Sequence, residues 1–390
     1  MRVLVTGLSS FWGGRLAQAL ERDPAVEVII GVSPEDPTCE LERTEYVRVG
    51  TQHALLRRIV QAAQIDTVVD SRLIVDSTTA SARAAHEANV IGTMNILAAC
   101  SGPDSPVRKF VFKSAAHYYG CEQDDPAYFT ERMQRPHPPR TRLERDIVEA
   151  EKAVTSFADR NRGVTVTTLR FVNGLGPELK TAHASLFSLP VVPSILGFDP
   201  RYQFIHEDDI VGVLEHAVRE DLPGIYNAAG DGVLVLSEVA GLLGRRLAPV
   251  LPPWGTGLAL EPLKLLGVKV PPEMVSQLRF GRGVDNRKLK AAGAPLRHTS
   301  RETVQAFAEH LRVAAIWRDS AEPYRYEREV EEFLRWSPHV RTSKTASGPS
   351  LTRDQLAELR RLLLELGKED SGTTASPARG LADEPSPWET

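Results

Sequence analysis

The chain has 390 residues, 42% of them hydrophobic and 25% charged, enough apolar material for one large core and a smaller lobe. Its formal net charge of −4 provides no basic field for nucleic acid or an anionic membrane surface, so a small-molecule partner is the default expectation. The cysteines Cys39, Cys100 and Cys121 form no C-x-x-C pair, which argues against zinc and redox-couple signatures and fits reduced thiols in a cytoplasmic protein.

The opening MRVLVTG runs straight into an apolar strand, leaving no room for a signal peptide. β-Branched runs predict strands over Arg2–Thr6, Glu27–Val32, Tyr46–Val49, Thr67–Asp70, Lys109–Ser114 and Val164–Phe171. Between them, helical spacing of Ala, Leu, Ile and Val predicts helices over Gly13–Glu21, Ala54–Ala63, Ala80–Ala99 and Arg145–Arg160. This alternation predicts an α/β fold, a doubly wound parallel sheet with helices on both faces. After Gly174 frequent prolines break the chain into short pieces, which suggests a smaller lobe over 176–313 interleaved with the sheet domain of 1–175 and closing with a helix over Arg301–Arg312. The weakly charged stretch 247–260 carries Pro249, Pro252 and Pro253 and is too short to span a membrane. The segment Gly255–Pro272 is amphipathic enough to cover a pocket or meet a partner. A helical extension over 314–368, with leucines at helical spacing in Arg353–Leu366, precedes a polar, Gly- and Pro-containing tail over 369–390 that is expected to be disordered.

The stretch VTGLSSFWGG, from Val5 to Gly14, is where a strand ends in glycine and enters a helix. Gly7 suits a tight turn of positive φ, Gly13 permits close approach of helix and strand, and the helix N-terminus offers free N–H groups. The middle glycine of the usual pattern is replaced by Ser10. The stretch is therefore either a pyrophosphate cradle built from Gly7, Ser10, Phe11, Trp12 and Gly13 or a plain tight turn, and its place after the first strand favours the cradle. The second strand ends at Ser33, where a carboxylate usually meets the ribose of NAD; Glu35 and Asp36 follow, no basic residue stands there, and NAD and NADP both remain open.

Several further stretches resemble the extended short-chain dehydrogenase/reductase family, the NAD-dependent epimerase/dehydratase group. NVIGTMNILAAC, from Asn89, resembles its fourth-helix motif with Asn89 at the structural asparagine; KFVFKSAAHYYG resembles its fifth strand; TLRFVNGLGP places Asn173 at the asparagine near nucleotide-sugar phosphates. FIHEDDIVGVL, YNAAGDGVLVLSEVAGLLG and VDNRKLKAAGAPLRHTSRETVQAF resemble the later segments, so the resemblance covers about residues 1–313 in consistent order. It implies a dinucleotide cofactor, a nucleotide-linked substrate near Asn173, and a homodimer through helices four and five.

The family's chemistry uses a Tyr-x-x-x-Lys dyad and a serine or threonine. The matching positions here hold Leu143, Ile147 and Ala115, with Ser114 beside it, and no tyrosine in the chain has a lysine four residues later. The third strand ends at Gly50 and Thr51 in place of an aspartate, and the fourth in Asp70, Ser71 and Arg72 in place of small apolar residues. Ser71, Arg72, Asn89 and Ser114 join the candidate cofactor set; Arg72 either contacts a phosphate or pairs with Asp70 or Asp76. The expectation is a dinucleotide-binding, atypical family member, and the alternative is an enzyme recruiting other acid/base groups from His117, Tyr118 or Tyr119. Arg142 and Arg145 offer a phosphate clamp or an exposed basic loop. His206, Glu207, Asp208 and Asp209 read as a helix start, with acidic side chains in the first turn, and no metal is expected.

Overall fold

Apart from the edge run Thr44–Arg48, the β-branched runs are buried on both faces, as parallel strands covered by helices must be. In a computed structural model, which describes residues 1–49, 52–251 and 270–318, they form a seven-stranded parallel sheet. Its strands are β1 (Arg2–Thr6), β2 (Val28–Ser33), β3 (Thr44–Arg48), β4 (Thr67–Asp70), β5 (Lys109–Ala115), β6 (Thr165–Phe171) and, at the edge beside β6, β11 (Gly224–Ala228). The order is β3-β2-β1-β4-β5-β6-β11, so the chain reverses its direction of winding between β1 and β4. The expected strands agree to within two residues, and the strand Gly224–Ala228 adds an edge that the periodicity reading did not draw.

Helix α1 (Phe11–Glu21) and helix α7 (Glu207–Arg219) cover one face, where Leu16, Leu20, Val213, Leu214 and Ala217 pack on Val3, Val5, Val69 and Val111. On the other face lie α2 (His53–Ala62), the helix of 82–99 and α5 (Arg142–Arg160), with Phe110 of β5 and Phe157 of α5 5.8 Å apart. The single helix expected over Ala80–Ala99 is α3 (Ala82–His86) and α4 (Thr93–Ala99) joined by a π-helical turn over Glu87–Gly92. Asn89 lies in that turn, completely buried, and exchanges two hydrogen bonds with the backbone of Ile74, at 2.7 and 2.8 Å. A side chain bonded in this way to a neighbouring loop holds the widened turn in place.

Beyond β6 a second apolar core gathers Leu175, Leu186, Phe187, Val192, Tyr202, Phe204, Leu236, Leu278 and Phe307. Around it run β7 (Asn173–Leu175), α6 (Ala182–Phe187), β8 (Val191–Ile195), β9 (Arg201–Tyr202), β10 (Phe204–His206), α8 (Leu236–Leu242) and the helices Pro272–Phe280 and Ser300–Arg318. The last of these runs past the expected end at Arg312. Gly50 and Thr51, residues 252–269 of the amphipathic segment, the helix expected over 353–366 and the tail 369–390 lie outside the described residues.

Candidate functional site

In a doubly wound sheet, ligands meet the carboxyl ends of the strands where the winding reverses. Here that point lies between Thr6–Gly7 of β1 and Asp70–Arg72 of β4. Gly7 has φ +77°, and a Cβ on Gly13 would stand 2.2 Å from the Gly7 carbonyl oxygen. Both glycines are thus required by the turn, one by backbone angle and one by contact. The first helical bond of α1 runs from the Gly14 amide to the Ser10 carbonyl at 3.0 Å. The amides of Phe11 and Trp12 precede it and, in the first turn, have no intrahelical acceptor.

Ser10 does not offer its hydroxyl as the sequence allowed. The oxygen donates to the Gly7 carbonyl at 2.7 Å and accepts from the Gly13 amide at 3.1 Å, so it caps α1 and closes the turn. Ser71 donates to the Thr6 carbonyl at 2.7 Å and sits directly beneath Gly13. Ser33, almost wholly buried, bonds the Ser9 hydroxyl at 2.5 Å. Asn89, also placed in the candidate cofactor set, spends both ends of its amide on the Ile74 backbone.

Of the partners open to Arg72, the structure selects Asp70, through Nε at 3.0 Å and a second nitrogen at 3.2 Å. Burial by itself would raise the Asp70 carboxyl, but the Arg72 charge and the Thr6 hydroxyl at 2.8 Å hold it below the ordinary carboxylate range. Asp76 instead accepts from Thr78 and from the Ala182 amide at the start of α6. The Arg72 side chain lies across the crest: a Cβ on Gly7 would meet its Cγ at 2.5 Å and one on Gly92 its guanidinium at 2.7 Å.

Beside this crest the candidate Ser114 meets two residues that sequence reasoning missed, Glu151 and Arg170. Ser114 donates to Glu151 of α5, and Glu151 receives the guanidinium of Arg170 from β6. Arg170 lies 3.5 Å from the ring centroid of Tyr118 and 4.7 Å from that of Tyr119. Tyr119 is turned into the core with its hydroxyl 2.9 Å from Asn227, and burial raises its pKa. Leu143 and Ile147, two turns and one turn before Glu151 on α5, are 5% and 0% exposed. Arg142 and Arg145 are exposed, and Arg145 lines a groove of about 990 Å³ between α4 and α5, among Met94, Val148 and Lys152.

The short 3-10 turn Ala116–Tyr119 then aims His117 at the second lobe. Its Nδ1 is buried without a partner, as are Nε2 of His183, the hydroxyl of Tyr202, the amide of Gln277 and Oδ1 of Asn173. Arg282, also buried, donates to the Gly120 carbonyl at 3.1 Å and repels a proton on His117. Burial, reinforced by Arg282 and His183, holds His117 far below its usual pKa; burial also pulls His183 down to about 4. Unpaired polar atoms in a protein interior are costly, so these residues are candidates for contact with a polar ligand. The sequence signal was there in part: Lys113 and Arg170 are charges inside the apolar runs FVFKSA and TLRFV, where a charge is expensive.

The family model described as "NAD dependent epimerase/dehydratase family" matches residues 3–229. The chain belongs to this family. An uncharacterized protein of Mycobacterium tuberculosis (strain ATCC 25618 / H37Rv) is 32% identical over 318 residues, covering 80% of this chain and 83% of that one, and an uncharacterized protein of Mycobacterium bovis matches equally. Among solved structures, UDP-glucose 4-epimerase of Thermotoga maritima with UDP-glucose superposes with a TM-score of 0.62 at 17% identity, over 81% of this chain and 100% of that one. UDP-glucuronic acid 4-epimerase of Bacillus cereus, in complex with UDP-glucuronic acid and NAD, gives 0.62 at 16%, over 80% and 100%. At these identities the likeness is one of fold. Epimerase/dehydratase family membership agrees with the glycine turn, the reversal point and the order of the sequence motifs. Among the described residues no three His, Cys, Asp or Glu side chains converge to hold a metal: His206 caps α7, Glu207 accepts from the Glu178 amide and Asp209 from Arg297 and His298. No described helix is long and apolar enough to cross a membrane.

Proposed function

We propose that this chain binds a nicotinamide dinucleotide at the Gly7–Gly13 turn and acts as an atypical, cofactor-responsive member of its family, without the usual hydride-transfer dyad. The observation that carries the reading is the cradle itself. A Cβ on Gly13 would collide with the Gly7 carbonyl and force the turn open, and the first-turn amides of Phe11 and Trp12 suit a diphosphate. The solved relatives named above include one whose complex holds NAD. Once bound, such a cofactor supplies a hydride donor or acceptor. Phe11, Trp12 and Gly13 would hold its diphosphate, Ser33 and Ser9 would meet the adenosine ribose, and Arg72 would flank the charge from β4. Neither Leu143 nor Ile147 can move a proton, and Ala115 has no hydroxyl to orient a substrate. Ser33 leaves the choice between NAD and NADP to both.

A second reading, an active enzyme on a nucleotide-linked substrate with other acid/base groups, is favoured by the unpartnered atoms of His117, His183 and Asn173. The groove between α4 and α5, with Met94 exposed at its rim, fits the homodimer through these helices that the family resemblance implies.

The test is calorimetric titration of the purified full chain with NAD, NADH, NADP and NADPH, after mass spectrometry has established whether a nucleotide co-purifies. Binding of at least one is expected; binding of none, with none co-purifying, overturns the dinucleotide reading. Incubation with UDP-glucose or UDP-galactose should give no epimer. Turnover at about 1 per second or faster would overturn the atypical reading in favour of the second.

A further inference from the structure

Strand β5 carries two lysines, and the fold treats them differently. Lys109 donates to the carbonyls of Val218 and Glu220 at 2.9 Å each and pairs with Asp221 at 3.0 Å. Lys113 is 3% exposed and donates to no acceptor among the described residues. Strand alternation puts it on the face of Val111, the face that α1 covers, and its Nζ lies 5.5 Å from the centroid of the Trp12 ring. An ammonium with no hydrogen bond to the described residues therefore stands next to the first turn of α1, whose Phe11 and Trp12 amides have no intrahelical acceptor.

The surrounding charges are committed elsewhere. From β4, Asp70 acts on Lys113 only through its charge: it pairs in register with Phe112 on the opposite face and is bonded to Arg72, Thr6 and Thr93. The nearest charge on α1, Arg15, pairs with Glu178 and Asp208. On α7, packed over the same face, Glu207 accepts from the Glu178 amide and Asp209 from the amides of Arg297 and His298. Burial brings the Lys113 amine down to about 8, with Asp70 opposing the shift. An aliphatic side chain would fill this position without the cost of burying an unpaired cation.

We propose that Lys113 belongs to the dinucleotide site, where its ammonium takes a diphosphate oxygen alongside the amides of α1. The inference rests on the dinucleotide reading given above and adds a residue to it. Two negative phosphates arriving beside an amine that is only partly protonated draw a proton onto it, so binding near pH 8 is coupled to proton uptake.

The experiment is calorimetric titration of the full chain with ADP-ribose, which carries the diphosphate without the nicotinamide. It is run at pH 8.0 in two buffers of different ionisation enthalpy. The wild type should take up about half a proton per ligand bound. Lys113→Met should abolish the uptake and weaken binding about tenfold or more, while Lys113→Arg should abolish the uptake and keep most of the affinity. Thermal melting of each variant confirms that it is folded. Wild-type binding without proton uptake, or equal affinity and uptake in Lys113→Met, overturns the role of Lys113 and leaves the dinucleotide reading standing. Failure of the wild type to bind ADP-ribose and all four dinucleotides overturns both.

Discussion

Arg170 and Glu151 form an ion pair in which the side chains are only 2% and 5% exposed, with Nε of Arg170 at 3.0 and 3.1 Å from the two carboxylate oxygens. It ties β6 to α5 immediately below the ends of the strands, and through Ser114 and Tyr118 it also holds the end of β5. A pair so deeply buried gains little over an apolar substitute, but loss of one partner strands the other without water.

Glu151→Ala is therefore expected to destabilise the fold by about 3–5 kcal/mol, read as a fall in the midpoint of urea unfolding. Glu151→Gln, which keeps the shape and one acceptor, should cost less. A change under about 1 kcal/mol in Glu151→Ala would mean that solvent reaches Arg170.

Gly13 tests the cradle. A Cβ at this position would lie 2.2 Å from the Gly7 oxygen and 2.8 Å from its carbon, both backbone atoms that move only if the turn moves. Gly13→Val should unfold cooperatively with a loss of about 1–3 kcal/mol and show no dinucleotide binding by calorimetry. Wild-type affinity in this variant would remove the turn from the site.

Lys113 should cost stability in a pH-dependent way. Its folded value of about 8 lies below its ordinary 10.5, so the unfolded chain binds more protons between these values and stability rises with pH across that window. The penalty is complete below about pH 8 and gone above about pH 10.5. Lys113→Met should accordingly be more stable than the wild type by on the order of 3 kcal/mol at neutral pH, with the gap closing as pH climbs. Unfolding curves at pH 7 and pH 10 measure the difference; a gap that is constant or reversed would place the ammonium in contact with water or a partner.

His183 acts at the acid end. Its folded value of about 4, against an ordinary 6.5, means that acidification through this window protonates the unfolded chain first and draws stability away. His117, lowered further by burial and by Arg282, works in the same direction. Between pH 6.5 and 4 the wild type should lose about 3 kcal/mol more than His183→Asn does, as compared by denaturant unfolding at each pH. Parallel curves for the two proteins would mean that His183 binds a proton in the folded state.

The sequence by itself determined the sheet and the turn, because strand alternation, helical periodicity and the two glycines are local properties of the chain. Arg2–Thr6 is followed by a glycine-bearing turn and an amphipathic helix, and no distant residue is needed to read this. Polar chemistry was legible only in outline. Lys109 and Lys113 look alike in KFVFK, yet one meets carbonyls at the end of α7 and the other faces the crest unpaired. Tyr118 and Tyr119 are neighbours, but only Tyr119 is packed against Phe129 and bonded to Asn227. Ser10, open in sequence to a phosphate, spends its hydroxyl on closing the helix. The difference has one physical cause: a hydrogen bond or ion pair is satisfied by whichever group the fold brings within about 3 Å, and Glu151 with Arg170, or Tyr119 with Asn227, are brought together by packing between separate elements of the fold.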